Sequence, residues 1–114
     1  MSRFSLLLLP LLLAGCKSTP PAKPLDQLTA QEARGHEIYV ARCSHCHYDR
    51  QTGDLQGPSL LGLYKKQYLP SGAPANDDRV GAVIENGRNM MPATVGLEPG
   101  SPDFSAVIAY LRTL

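Results

Sequence analysis

The run Cys43-Ser44-His45-Cys46-His47 decides how this chain is read. Its pattern is C-x-x-C-H, the motif of covalent c-type haem attachment. Each of the two thiols can add to one vinyl group of a haem and hold the macrocycle edge-on to the backbone. His47 directly follows the second cysteine. It is thereby carried under the iron, where a neutral imidazole nitrogen binds it. Two other chemistries use paired cysteines. A four-ligand zinc site would take Cys43, Cys46 and one or two of the 3 histidines. However, His45 and His47 lie inside or beside the pair rather than a loop-length away, and no second ligand pair follows. A thioredoxin-like dithiol would sit near a strand–helix–strand pattern, and the sequence shows none.

The chain has 114 residues, enough for one small domain. Its first stretch does not read as fold. Arg3 is followed by an apolar run from Leu6 to Leu13, broken only by Pro10, and then by Ala14-Gly15-Cys16. A charged start, a short apolar core and small residues at its end make a secretory signal peptide. The run is far shorter than the roughly 20 residues needed to cross a bilayer. Leu13-Ala14-Gly15-Cys16 looks like a bacterial lipobox. That likeness implies a diacylglycerol on Cys16, cleavage before it and acylation of the new amino group. The alternative is a plain signal peptide with a stray cysteine near its end. Residues 1–15 are thus expected to be a lipoprotein signal peptide, and residues 16–28 a lipidated cysteine with a proline-rich tether. Several acyl chains make a lasting anchor where one does not. Lys17 stands where an inner-membrane lipoprotein of enteric bacteria would carry aspartate. By that analogy the protein is exported to the periplasmic side and held at the outer membrane.

These assignments use all 3 cysteines and leave no disulfide to propose. Losing the signal removes Arg3, which brings basic side chains, 11 in the full chain, level with the 10 acidic ones. A near-neutral chain argues against nucleic acid as a partner and against a strongly steered, highly basic carrier. Lys65-Lys66 is a local basic spot, read as a solvated turn of helix.

The stretch 17–24 holds three of the chain's 10 prolines, which favours an extended, semi-rigid tether. Thr29-Ala30-Gln31-Glu32 is a capping box. The helix it opens should run to about Cys43, with Gly35, Ile38, Tyr39 and Arg42 on one face. A glycine inside a helix costs about 1 kcal/mol against alanine, so Gly35 points to a close helix crossing. Residues 48–57 read as loop. Leu60, Leu61, Leu63 and Tyr64 suggest one or two helical turns, and residues 70–74 a further loop. Asn76 or Asp77 caps a third segment, with Val80, Val83 and Ile84 as its stripe and Gly87 as its stop. Asp103 is read as the cap of a last helix carrying Phe104, Val107, Ile108 and Leu111. The fold class is therefore all-α, with about four short helices over residues 29–114 wrapped around one covalent haem. So small a core commonly needs such a staple. Leu60, Leu63, Val80, Val83, Ile84 and Val107 are the apolar side chains expected to wrap it.

Iron held by one histidine has a second face open. A methionine sulfur is a soft ligand that raises the potential when paired with histidine. Met90 and Met91 lie in an irregular loop far enough past His47 to return over that face. Met91 is preferred because Pro92 stiffens the backbone beside it. Met90 is the second choice, and core filling is the ordinary role of both. His45 lies between the anchoring cysteines and cannot reach the far face. His36 is expected to be an ordinary exposed histidine on the first helix.

Taken together, these pieces resemble the small monohaem class I cytochromes c of bacteria. The matching stretches are Gly35-x-x-Ile38-Tyr39, Cys43 to His47, Gly57-Pro58-Ser59-Leu60, Asn86 to Pro92 and Val107-Ile108-Ala109-Tyr110-Leu111. They follow that family's order from Thr29 to Leu114. The resemblance implies the small cytochrome c fold, with first and last helices crossing near Gly35, Tyr39, Val107 and Tyr110. It implies that the Pro58 carbonyl accepts the second ring N–H of His47. The chain departs from the family in having no tryptophan. Haem propionates then need other donors, for which Tyr64, Tyr68 and Arg88 are candidates. The function implied is single-electron transfer by a membrane-anchored haem c protein with His47 and Met91 on its iron. Its partners would be exported or membrane redox proteins, and it would act without enzymatic chemistry, as a monomer or a subunit. Two alternatives stay open. One is a cytochrome subunit of a larger dehydrogenase, oxidase or reductase complex. The other is a gas- or peroxide-binding haem sensor, if the methionine is labile.

Overall fold

The computed structural model describes residues 15, 16 and 18–114; apart from Gly15, the expected signal peptide lies outside the described residues. In chain order they form a 3-10 turn at Leu25–Gln27, helix α1 at Ala30–Arg42, a second 3-10 turn at Leu63–Lys65, helix α2 at Asp77–Asn86 and helix α3 at Pro102–Leu111. No strand forms among the described residues; Tyr68 with Pro74 and Arg88 with Met91 make isolated bridges. The expected all-α class holds. The second of the four expected helical pieces shrinks to the single turn at Leu63–Lys65. It is bounded by Gly62 at φ 71 on one side and extended Lys66 on the other, so it has no room to propagate.

Each helix starts where a side chain can take up its free N–H groups. Thr29 Oγ1 accepts from Glu32 N at 3.2 Å, and Glu32 Oε2 accepts from Thr29 N at 2.8 Å, closing the capping box. Asn76 Oδ1 accepts from Arg79 N at 3.0 Å and starts α2. The start of α3 differs from expectation. Ser101, not Asp103, is its cap, with Oγ accepting from Phe104 N at 3.2 Å. Pro102 lacks an N–H and fits the first helical position, which moves the cap one residue ahead of it. Asp103 instead turns toward α1, where both its oxygens meet Arg34 at 3.1 Å.

Helices α1 and α3 cross at Gly35. A Cβ there would run into the Ala106 carbonyl and lie 2.7 Å from Tyr110 Cβ. The glycine is what lets the two backbones touch. Ile38 and Tyr39 of α1 and Ala106, Val107 and Tyr110 of α3 are buried around the crossing. Helix α2 closes the core from the side, its Gly81 packing on the Phe104 ring, 2.8 Å from ring carbon to a notional Cβ. His36, expected to be exposed, is half-buried, its ring 5.0 Å from that of Tyr110. Its place on α1 beside the crossing sets the imidazole against the Tyr39 and Tyr110 rings.

The segment before α1 runs along the body. Lys23 N–H donates to the Thr113 carbonyl at 2.8 Å, and Arg50 Nη2 donates to the Lys23 carbonyl at 2.6 Å. Lys23 Nζ meets Glu32 at 2.7 Å. That bond, with the Thr29 N–H, holds the Glu32 carboxyl below its ordinary pKa. Ala22 and Leu28 pack against the core.

Replacing Gly35 by alanine should raise helix propensity by about 1 kcal/mol yet destabilise the protein. The methyl has to push α3 away, at a cost of about 1–3 kcal/mol that lowers the denaturant midpoint. A midpoint at or above that of the parent would show that the helices part freely.

Candidate functional site

The C-terminal end of α1 delivers the site. The helix stops at Arg42, and the chain winds one more turn: Cys46 N and His47 N both donate to the Cys43 carbonyl, at 3.1 and 3.0 Å. Cys43, Cys46 and His47 therefore hang from one tight loop at the edge of the core. All cysteines among the described residues are free, and Cys43 and Cys46 are half-buried. Cys43 packs against the core. Burial pushes its thiol above the ordinary value, against the pull of Arg42. Among the described residues no three His, Cys, Asp or Glu side chains gather as ligands for a metal ion. A zinc reading of the cysteine pair thus lacks its remaining ligands there.

The orientation of His47 is fixed on two sides. Its Nδ1 lies 2.7 Å from the Pro58 carbonyl oxygen. A carbonyl can only accept, so Nδ1 carries the proton, and Nε2 is the nitrogen left for a metal. Gly57 lies flat against the ring: a Cβ on it would strike Cε1 and lie 2.8 Å from Nδ1. Gly57 is in turn held by its N–H on the Cys46 carbonyl at 2.8 Å. The sequence showed Gly57-Pro58 as a pair, but the role of Gly57 as the floor under the imidazole needed the tertiary structure.

Two tyrosines hold the same loop from behind. Tyr39 Oη donates to the His47 carbonyl at 2.6 Å, and Tyr110 Oη donates to Asp49 Oδ2 at 2.5 Å. Burial, with Asp49 nearby, pushes the Tyr39 phenol up to about 12. Burial raises that of Tyr110 as well. Both hydroxyls thus stay protonated donors through the neutral range. Sequence reading placed both rings at the helix crossing and missed their hydroxyl bonds, because periodicity reports the face of a ring and not the reach of its tip.

Beside Pro58 lies a cavity of about 270 Å³ lined by Leu60, Leu63, Leu69, Lys66 and Tyr68 among others. Of the side chains expected to wrap a haem, Leu60 and Leu63 face this space, whereas Val80, Ile84 and Val107 are buried in the core and Val83 is half-buried. Of the propionate candidates, Tyr68 stands on the cavity wall. Tyr64 lies instead under Arg112, 4.5 Å from ring centroid to guanidinium, and its buried hydroxyl makes no hydrogen bond although the Asp77 carboxylate is its neighbour. Arg88 is exposed in the loop after α2.

That loop carries the two methionines. Gly87 ends α2 at φ 73, packed so close to the Met91 carbonyl and Pro92 that a side chain has no space. Arg88 and Met91 exchange both backbone hydrogen bonds at 2.9 Å, with Asn89 at φ 53 inside the turn. This turn puts Met90 at its tip, 87% exposed, and leaves Met91 half-buried.

The residues present suit a covalently held haem: two unpaired thiols on one loop, an imidazole whose Nδ1–H is held on a carbonyl so that Nε2 is left for a metal, and an apolar space next to the imidazole's backbone partner. Comparison with known proteins points the same way. A family described as cytochrome C oxidase, cbb3-type, subunit III matches residues 30–111. Cytochrome c2 of Rhodopila globiformis is 29% identical over 112 residues, spanning 85% of this chain and 98% of that protein.

Gly57→Ala should press on the His47 ring and loosen its bond to Pro58. Solvent exchange of the His47 Nδ1 proton, followed by NMR, is then expected to speed up by about tenfold. Unchanged exchange would mean that the loop yields and the ring does not.

Proposed function

We infer that this chain, which belongs to the cytochrome c family, is an exported, lipid-anchored single-electron carrier with His47 and Met91 as its iron ligands. Membership of the family brings a covalently held haem c, which supplies a one-electron iron couple. The observation that carries the ligand reading is the 2.7 Å contact from His47 Nδ1 to the Pro58 carbonyl. It fixes the tautomer of the neutral ring, with the proton on Nδ1, and makes Nε2 a better donor. Cys43 and Cys46 would form the two thioethers. Met91 is favoured over Met90 because a ligand must turn inward, and Met90 is the exposed tip of its turn. With His47 and Met91 both holding the iron in either redox state, little would reorganise when an electron passes. Among the propionate candidates, the position of Tyr68 on the cavity wall supports it over Tyr64 and Arg88.

No helix among the described residues is long and apolar enough to cross a membrane. The proposed attachment is the acylated Cys16, on the periplasmic side and at the outer membrane. An anchored carrier meets fixed redox partners at a raised effective concentration through small, short-lived contacts. A second reading, that the chain is one subunit of a larger redox complex, is favoured by the oxidase-subunit description of the matching family. Persistent co-elution with a large catalytic partner from native membranes would establish it over the free carrier.

Met91→Ala should lower the reduction potential by on the order of 0.1 V and let the ferrous protein bind carbon monoxide rapidly. Met90→Ala should do neither, and the reverse pattern in spectra and redox titration would transfer the ligand role to Met90. Cys16→Ser should move the protein from the membrane to the soluble fraction on cell fractionation. Retention on membranes would count against lipidation.

A further inference from the structure

We infer that the turn Gly62–Lys66 is the membrane-facing surface of the domain, with Lys65 and Lys66 set against anionic phospholipid headgroups. The inference rests on the acylation of Cys16 proposed above. It starts from the path of the segment before α1, which lies outside the residues matched by the cytochrome family.

Sequence alone makes that segment an extended, semi-rigid tether that stands apart from the domain. In the structure it is fastened. Lys23 is held at three points, by the Thr113 carbonyl, the Arg50 guanidinium and the Glu32 carboxylate. Further toward Cys16, Thr19 lies on Gly62: a Cβ added to Gly62 would be 2.6 Å from Thr19 Cγ2. Gly62 is at φ 71, a conformation open to glycine, and it is buried under this contact. The chain therefore leaves the domain surface at Gly62. From Thr19 to Cys16 even a fully extended backbone reaches no more than about 11 Å. A lipid on Cys16 consequently brings the Gly62 turn to within about one screening length of the headgroups.

The next residues of that turn are Leu63, Tyr64, Lys65 and Lys66. Both lysines are exposed, Lys66 at the rim of the cavity beside Pro58, and among the described residues neither takes part in an ion pair. The acidic neighbour of Tyr64, Asp77, is already engaged by Arg112 at 2.6 Å. With Arg3 lost, the acylated chain has basic and acidic side chains in balance, and such a local pair governs what a charged surface feels at short range. A lysine near an anionic bilayer is favoured by a factor of about five. The short arm and the two charges thus select the same face.

The test uses the lipidated, haem-loaded full chain reconstituted in vesicles. One set is phosphatidylcholine alone; the other contains phosphatidylglycerol as well. Acetylation of Lys65 and Lys66 by an amine reagent is followed by mass spectrometry. On the anionic vesicles both lysines are expected to react about fivefold more slowly or less, and high salt should remove the difference. Equal rates on the two sets, with the protein sedimenting alongside both, would overturn the inference and leave the anchor intact. Failure to sediment with either set would overturn the anchor, and the inference with it. A second chain carries about ten glycine and serine residues inserted between Ser18 and Thr19. It keeps the fastened segment but lengthens the arm, so the protection should fall toward that on neutral vesicles. Undiminished protection would overturn the role of the short arm.

Discussion

The touching of two helices at Gly35 is the constraint from which the rest of this structure follows. Because Gly35 has no side chain, α1 sinks against the Ala106 carbonyl and the base of Tyr110. Helix α1 ends at Arg42, and the residues after its end are Cys43 to His47. The same crossing brings the Tyr39 and Tyr110 hydroxyls to the back of the haem-binding loop, where they hold the His47 carbonyl and Asp49. Helix packing and the position of the His47 backbone are thus one problem here. A shift of α3 would move the phenols, and through them the backbone on which His47 sits.

On the front of the loop the proposed ligation of iron by His47 sets the demands. A histidine ligand needs one nitrogen protonated and held, so that the other is free and aimed. Pro58 supplies the acceptor and Gly57 the flat support, and neither could do so if the loop between His47 and Gly57 were placed differently. The Leu55 N–H to Gly57 carbonyl bond at 3.1 Å and the Gly57 N–H to Cys46 carbonyl bond at 2.8 Å fold that loop back on the motif. On the other flank, the turn Arg88 to Met91 separates two adjacent methionines into an exposed one and a half-buried one. The segment before α1 adds a further constraint of its own, since its bonds to Thr113, Arg50 and Glu32 make it part of the domain it was expected to tether.

The chain by itself determined a good deal. The C-x-x-C-H run specified the cofactor chemistry, since bond formation to a haem needs only those residue types at that spacing. Apolar periodicity and the Thr29 and Asn76 caps specified α1 and α2, because helix starts depend on neighbours a few residues away. What depends on distant parts of the chain was decided by the fold. The cap of α3 moved to Ser101 through a local effect of Pro102 that the reading overlooked, but the burial of His36, the support of Gly57 under His47 and the fastening of Lys23 have no local signature. Each arises where segments far apart in sequence meet, and a backbone carbonyl or a missing Cβ leaves no mark in a pattern of side chains. The sequence determined which atoms could hold an iron porphyrin; only the tertiary structure decided which way they point, because direction comes from packing.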